Sequence, residues 1–226
     1  MNSIVLTYKS CSLKQSDINC LGDYSQLNDI IISFYYEILS EKFHRDDVVL
    51  LDPAVSMSIT IEPNLDDINQ CIFTPLQMGS KKFIFAPIND NKKIDYQTGG
   101  SHWALGLVDV GNQTIYYLDS MLSDIDNAHL MHKRLEKLFK KKFAFRYPIC
   151  QKYQSNSFDC GMFVLAFTET LLGYLKEKGW DKSSFSELNF DDLFSRTTLV
   201  SESNMSAYRK EIKAIINNLI QEKQKK

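Results

Sequence analysis

The spacing of apolar residues predicts helices at both ends of the chain and strands in its middle. Apolar residues recur every three or four positions at 27–43, which is the spacing of an amphipathic helix. The same spacing is found at 64–73, 124–141, 160–175 and 203–226. Runs rich in strand-forming residues lie at 81–88, 102–110, 114–118 and 143–147. The pattern therefore predicts an α+β fold with a central, mostly antiparallel sheet flanked by N-terminal and C-terminal helices.

Two of the predicted strands are expected to form a hairpin. The polar turn GNQ at 111–113 separates the run at 102–110 from the run at 114–118. A hairpin would bring the end of the second strand back beside the start of the first. Just before it, residues 89–100 are polar and end in two glycines, which predicts a mobile loop.

Length and composition indicate one globular domain spanning residues 1–226. Hydrophobic residues make up 44% of the 226 positions, enough to bury a sizeable core. A net charge of −2 argues against a protein that holds nucleic acid on a basic surface. We also expect no membrane span and no secretory signal, because the chain has no apolar stretch of about 18 residues and no basic N-terminus before an apolar run.

The cysteines and histidines point away from disulfides and metals. The cysteines are five, an odd number, and none forms a CxxC pair, so a disulfide framework and a zinc ribbon are both disfavoured. Free thiols suit a reducing compartment, and we expect a cytoplasmic and/or nuclear protein. An HxxH pair at 129 and 132 has no third ligand nearby. We therefore predict no metal site and no cofactor.

Cys160 is the first candidate for chemistry. It stands in NSFDCGMF, where a polar segment turns into an apolar helical run, so it should lie at or near a helix N-terminus. The free N–H groups and the positive dipole end there favour a thiolate, the nucleophilic form of cysteine. Gly161 would let a substrate backbone come close. Taken alone, Cys160 fits a buried structural cysteine at the start of a core helix somewhat better than a nucleophile.

A base and an orienting carboxylate are available at one edge of the predicted sheet. His102 begins the first strand of the hairpin, and Asp119 ends the second in TIYYLDS. The hairpin would place the two within a few ångströms of each other, where the carboxylate can fix the tautomer of the ring. Gln154, six residues before Cys160, could donate to an oxyanion together with the Cys160 N–H. These residues form a coherent nucleophile, base and orienter set.

These motifs resemble the ubiquitin-like proteases of the adenain-like cysteine peptidase clan. The resemblance is carried by GGSHW at 99–103, DS at 119–120 and QSNSFDCGMF at 154–163. The order His, Asp, Gln, Cys separates the chain from papain-type enzymes, which place the cysteine first. VLTYKSCSLKQSD at 5–17, LND at 27–29 and APINDN at 86–91 resemble the small deneddylating branch, that of sentrin-specific protease eight.

The resemblance implies an activity and a set of roles. Members cut after the Gly-Gly C-terminus of a ubiquitin-like modifier, and this branch prefers the neddylation protein, for precursor processing and for release from lysine side chains of conjugates such as cullin-type targets. His102, Asp119 and Cys160 match the catalytic positions, and Gln154 matches the oxyanion-hole position. The implied enzyme is a monomer without nucleic-acid or membrane partners.

The resemblance also implies a substrate-binding set. Trp103 matches the aromatic residue that covers a narrow diglycine tunnel, a slot that only a residue without a Cβ can pass. Asn28 and Asp29 match a segment that contacts the modifier's tail. The loop at 89–100, which includes Asn91, matches a loop that moves when the modifier binds.

One departure from the family pattern leaves the substrate open. Gln26 stands where the family has a tryptophan that forms the other wall of the tunnel. A SUMO- or ubiquitin-specific protease therefore stays an alternative, as do an acetyltransferase on the same scaffold and a catalytically silent module that only binds a modifier.

Overall fold

A computed structural model gives the fold and describes residues 3–92, 100–180 and 184–225. Within those ranges the strands are β1 Ile4–Tyr8, β2 Cys11–Lys14, β3 Val48–Leu50, β4 Phe83–Asn89, β5 Trp103–Asp109, β6 Thr114–Leu118 and β7 Ala144–Arg146. The α-helices are α1 Gln15–Asn19, α2 Asp29–Phe43, α3 Pro53–Ile61, α4 Leu65–Ile68, α5 Asp126–Phe139, α6 Cys160–Lys178, α7 Phe190–Ser195 and α8 Met205–Gln224.

Five strands form the central sheet in the order β3-β4-β5-β6-β7. The long inner pairings, β4 with β5 and β5 with β6, are antiparallel, whereas the short edge strands β3 and β7 pair in parallel. The predicted hairpin of β5 and β6 is confirmed. In its register Leu105 pairs with Leu118, so the start of β5 and the end of β6 lie at the same edge of the sheet.

Both faces of the sheet are buried, which explains why its strands read as continuous apolar runs. Phe83 and Phe85 on β4 face a core shared with α2, α6, α7 and α8, whereas Ile84 and Ile88 face a second core shared with α3 and α5. Successive side chains of a strand point to opposite faces, so one strand supplies both cores.

Helix α6 carries the candidate nucleophile at its first residue. Its N-terminal neighbour Asp159 has a non-helical backbone, with φ −92° and ψ 2°, and the helix ends at Gly179, where φ is +80°. Most of the helix between these ends is buried, in keeping with its apolar sequence. Lys176 and Lys178 lie in the last turn, where cations interact favourably with the helix dipole.

The α+β prediction is confirmed, and the predicted helices and strands correspond to α2, α4, α5, α6, α8 and β4 to β7. Helices α1, α3 and α7 were not predicted. The N-terminal hairpin of β1 and β2 was not predicted, because both strands are short and a register shift interrupts β1. The central part of the predicted mobile loop, residues 93–99, lies outside the described residues. Among the helices that the structure describes, none is long and apolar enough to cross a membrane.

Candidate active site

The hairpin brings His102 and Asp119 together at one edge of the sheet. His102 immediately precedes β5 and Asp119 immediately follows β6. The Nε2 atom of the His102 ring lies 2.7 Å from Oδ2 of Asp119, within hydrogen-bond distance. The other ring nitrogen, Nδ1, is therefore the one left for a nucleophile.

Asp119 is almost fully buried, with 2% of its side chain exposed, and its carboxylate is held by further donors. The Tyr117 hydroxyl donates to Oδ2 at 2.9 Å, and the Met121 N–H donates to Oδ1 at 2.8 Å. Burial and the neighbouring Asp119 raise the pKa of Tyr117, so its hydroxyl stays a donor. A buried carboxylate with these partners stays in place and sets the direction of the His102 ring.

Cys160 is the second side-chain partner of the His102 ring. It is the first residue of α6 and only 1% exposed. Burial lowers the pKa of His102, but the hydrogen bond with Asp119 and the adjacent Cys160 side chain outweigh burial and raise it to about 10. These two neighbours therefore favour the charged form of the imidazole.

Gln154 is 1% exposed, and its amide has a fixed orientation. The Ser120 hydroxyl donates to Oε1 at 2.7 Å, so Nε2 points the other way. Nε2 donates to the carbonyl of Asn156 at 2.9 Å and approaches Oδ1 of the same residue at 3.4 Å. The contact at 3.4 Å is weak. The N–H bond of Nε2 that makes this weak contact is therefore the one that could donate to a developing oxyanion.

A cleft of about 840 Å³ is lined by Ser101 and Trp103, the chain neighbours of His102, but by none of the candidate catalytic residues themselves. All of the predicted substrate-binding residues line it: Gln26, Asn28, Asp29, Asn91 and Trp103. The structure therefore brings together residues from three separate stretches of the chain, as the resemblance implied.

Gln26 makes a contact that its sequence position did not predict. Its side-chain amide donates to the carbonyl of Ser101 at 3.2 Å and to that of Ser157 at 3.0 Å. Ser101 precedes His102, and Ser157 lies three residues before Cys160. Gln26 therefore links the segment that carries the base to the segment that carries the nucleophile.

The remaining cleft residues differ in how free their side chains are. The Trp103 indole is half-buried and donates to the carbonyl of Leu27 at 3.2 Å. Asn28 caps α2 by accepting from the Ile31 N–H, and its amide donates to Asp17. The Asn28 side chain is thus engaged in hydrogen bonds within the protein, whereas the Asp29 side chain is exposed to the cleft.

Several residues of the site escaped the sequence analysis. Tyr117 shares a strand face with Asp119 two residues on, so period-two spacing could have indicated it. Ser120 follows Asp119 directly, but nothing in the sequence pairs it with Gln154. Glu202 and Arg209 contact the segment before Cys160 from the far end of the chain, and no local pattern indicates them.

The HxxH pair does not act as a unit in the structure. His129 hydrogen-bonds Asp124 at 2.8 Å, whereas His132 hydrogen-bonds the carbonyl of Phe143 at 2.8 Å. Across residues 3–92, 100–180 and 184–225, no three His, Cys, Asp or Glu side chains are grouped to hold a metal ion.

Comparison with known proteins identifies the family. The model of the Ulp1 protease family, C-terminal catalytic domain, matches residues 25–223. The chain belongs to the Ulp1 protease family. The members of this family are cysteine proteases, and this chain is a cysteine-type peptidase of the Ulp1 family.

Relatives and solved structures agree with this assignment. The chain is 33% identical to sentrin-specific protease 8 of Homo sapiens, over 76% of this chain and 82% of that protein. It is 26% identical to NEDD8-specific protease 1 of Arabidopsis thaliana, over 96% and 94% of the two chains. The Ulp1 protease domain in complex with Smt3, the yeast ortholog of SUMO, matches the fold with a TM-score of 0.63 at 19% identity, over 97% of this chain and 90% of that one.

Proposed function

We propose that this Ulp1-family enzyme cleaves after the C-terminal Gly-Gly of a ubiquitin-like modifier and prefers the neddylation protein. The observation that carries the proposal is the His102–Asp119 hydrogen bond of 2.7 Å, with the Cys160 side chain beside the same ring. The name of the Arabidopsis relative, NEDD8-specific protease 1, supports the choice of modifier.

The proposed reaction begins with the thiolate of Cys160 attacking the carbonyl of the second glycine. The Cys160 N–H and the Gln154 amide stabilise the oxyanion that forms. His102 gives its proton to the leaving amine as the C–N bond breaks, which leaves a thioester. A water then loses a proton to His102 and hydrolyses the thioester, releasing the modifier's carboxylate and the thiol. Asp119 holds the ring throughout, and the reaction needs no metal or cofactor.

The cleft supports the proposed substrate. We propose that a tail reaching Cys160 passes between the segment of Trp103 and the Gln26 bridge. A narrow passage there would select residues without a Cβ. Asp29 and Asn91, which also line the cleft, are proposed to contact the modifier's tail.

We propose a monomeric single domain in the cytoplasm and/or nucleus that processes precursors and releases the modifier from conjugates such as cullin-type targets. The net charge of −2 supports a protein without nucleic-acid partners. Light scattering on the purified protein would test the monomer, and a dimer mass would contradict it.

Covalent capture tests the proposal directly. The protein, with Cys160→Ala as the control, is mixed with the neddylation protein, SUMO and ubiquitin, each carrying an electrophile at its C-terminal glycine. A gel shift with the neddylation probe alone, absent in the Ala variant, is expected. A shift only with SUMO or ubiquitin would overturn the substrate and keep the mechanism. Binding without any shift would favour the catalytically silent module.

A further inference from the structure

The segment that carries the nucleophile and the proposed oxyanion donor is bound by the C-terminal end of the chain. This segment, residues 154–159, has no regular secondary structure and joins Gln154 to Cys160. Two charged residues beyond residue 200, Glu202 and Arg209, provide many of its polar contacts.

Glu202 accepts from the backbone and the side chains of two successive residues in this segment. Its Oε1 atom accepts from the Ser155 N–H at 2.9 Å and from the Asn156 N–H at 3.0 Å. The Asn156 side-chain amide donates to Oε1 at 2.6 Å, and the Ser155 hydroxyl donates to Oε2 at 2.7 Å. Burial raises the pKa of Glu202, but these hydrogen bonds outweigh burial and lower it, so the group stays charged.

Asn156, which Glu202 holds, in turn contacts Gln154 and the residues that precede Cys160. Its carbonyl accepts from Nε2 of Gln154 at 2.9 Å. Its Oδ1 accepts from the N–H groups of Phe158 and Asp159, both at 3.0 Å, and its amide donates to Asp159 at 2.8 Å. Asn156 thereby sets both the direction of the Gln154 amide and the backbone that enters α6.

Arg209 holds the other end of the segment. It is 2% exposed and donates to Oδ1 of Asp159 through Nη2 at 2.6 Å and through Nε at 3.1 Å. Its remaining donors reach the carbonyls of Phe158, Cys20 and Gly22 at 3.3, 3.0 and 3.3 Å. A buried, hydrogen-bonded ion pair of this kind fixes the residue directly before Cys160.

We infer that Glu202 and Arg209 are positioning residues for the cleavage reaction, with Glu202 acting through Asn156 on the Gln154 amide. The inference rests on the proposed function, because it takes Gln154 as the oxyanion donor. A preorganised donor stabilises the transition state and adds little to binding of the ground state. Loss of Glu202 should therefore lower kcat and leave KM nearly unchanged.

The test compares Glu202→Ala with Glu202→Gln and with Glu211→Ala, an exposed acidic residue on α8. The substrate is the modifier that the capture experiment identifies, fused to a fluorogenic amine. We expect Glu202→Ala to lower kcat roughly ten- to hundredfold with KM within about threefold. Glu202→Gln keeps an acceptor oxygen and should restore most of the rate, and Glu211→Ala should match wild type. A normal kcat for Glu202→Ala would overturn the inference.

Two further measurements separate positioning from general loss of structure. Alkylation of Cys160 by iodoacetamide reports the Cys160–His102 pair, and its rate in Glu202→Ala should stay within about twofold of wild type. A large fall in that rate would mean that the whole site has collapsed and would overturn the specific role. The melting midpoint of each variant shows that the protein measured is folded.

A double-mutant cycle links Glu202 to Gln154. If Glu202 acts through Gln154, Glu202→Ala should have little further effect in a Gln154→Ala background. If the two substitutions lower kcat by independent factors that multiply in the double variant, the route through Gln154 is overturned. If Gln154→Ala alone leaves kcat unchanged, the proposed oxyanion donor is wrong and this route fails with it. A slow Gln154→Ala beside a normal Glu202→Ala would contradict the role of Glu202 alone.

Discussion

At the scale of single residues, the direction of the His102 ring depends on the donors around Asp119. His102, Tyr117 and the Met121 N–H all reach this one carboxylate. A carboxylate held in this way cannot turn from the ring without losing buried hydrogen bonds, which is costly. The reactivity of Cys160 therefore depends on a carboxylate that acts on it through the His102 ring.

Replacing Asp119 by Asn should change how stability depends on pH. The raised pKa of His102, about 10, gives stability that is fully present below pH 6.5 and is lost as pH rises toward 10. Without the carboxylate this contribution should largely vanish. The quantity to compare is the difference in unfolding free energy between wild type and Asp119→Asn. This difference should be roughly 1–3 kcal/mol larger at pH 6.5 than at pH 10. Urea denaturation at the two pH values measures the difference.

Asp124→Asn is the matched control for this experiment. It removes the exposed carboxylate beside His129, a surface pair that should contribute little. If the difference in unfolding free energy between wild type and Asp119→Asn is the same at pH 6.5 and pH 10, the proposed charge state of His102 is contradicted. The Asp119→Asn variant should also keep more residual turnover than Cys160→Ala.

Gln26 should set the width of the passage to Cys160. Its amide bridges the carbonyls of Ser101 and Ser157, so Gln26→Ala should let the two segments move apart. We expect the ratio of kcat/KM for a Gly-Ala tail to that for a Gly-Gly tail to rise about tenfold. Gln15→Ala, an exposed glutamine on α1, serves as the control. An unchanged ratio would show that the bridge does not control selectivity.

At the scale of elements, the start of α6 packs against the segment that lines the cleft. A Cβ on Gly161 would lie 2.9 Å from the Cβ of buried Leu27, a contact that cannot form without a shift. The carbonyl of Leu27 also accepts from Trp103. Close approach of α6 to this segment therefore couples the helix that carries Cys160 to the cleft.

Gly161→Ala should lower both stability and activity. Overpacking at a buried contact costs roughly 1–3 kcal/mol of unfolding free energy, and the displaced Leu27 should take Trp103 with it. Gly173, on the same helix, has open space within 4 Å of the place that a Cβ would take, so Gly173→Ala should be neutral or stabilising by about 0.5–1 kcal/mol. Thermal melts and kcat/KM measure both variants. Equal behaviour of the two would contradict the packing account.

The predicted elements show where periodicity is informative. Helix α6 and strands β4 to β6 are long enough to show their period, and they were predicted. The parallel edge strand β3, three residues long, was not predicted. Its place is decided by pairing with β4, a contact more than thirty residues away in the chain.

At the scale of the whole molecule, the sheet joins two cores. Ile84 is fully buried in the core with α3 and α5, whereas Trp103 and Trp180 pack against the core on the other face. Because the same strands line both cores, unfolding of one core should also unfold the other. The prediction that the chain is one domain can be tested through this coupling.

Ile84→Ala should therefore lower the unfolding midpoint equally by tryptophan fluorescence and by circular dichroism. We expect a loss of about 2–5 kcal/mol, with tryptophan fluorescence and circular dichroism giving the same midpoint. Ile4→Ala, at a position 56% exposed, should change stability by no more than about 0.5 kcal/mol. A lower midpoint by circular dichroism with an unchanged fluorescence midpoint would contradict a single cooperative domain.

The sequence by itself determined the local elements and the chemical groups at their ends. Cys160 at a helix start and His102 and Asp119 at the two ends of a hairpin follow from period, turn and spacing, which act over a few residues. Only the tertiary structure decided what holds these groups. The bridge of Gln26 and the contacts of Glu202 and Arg209 join residues up to 189 positions apart. Such partners are set by how distant elements pack, and no local pattern encodes them.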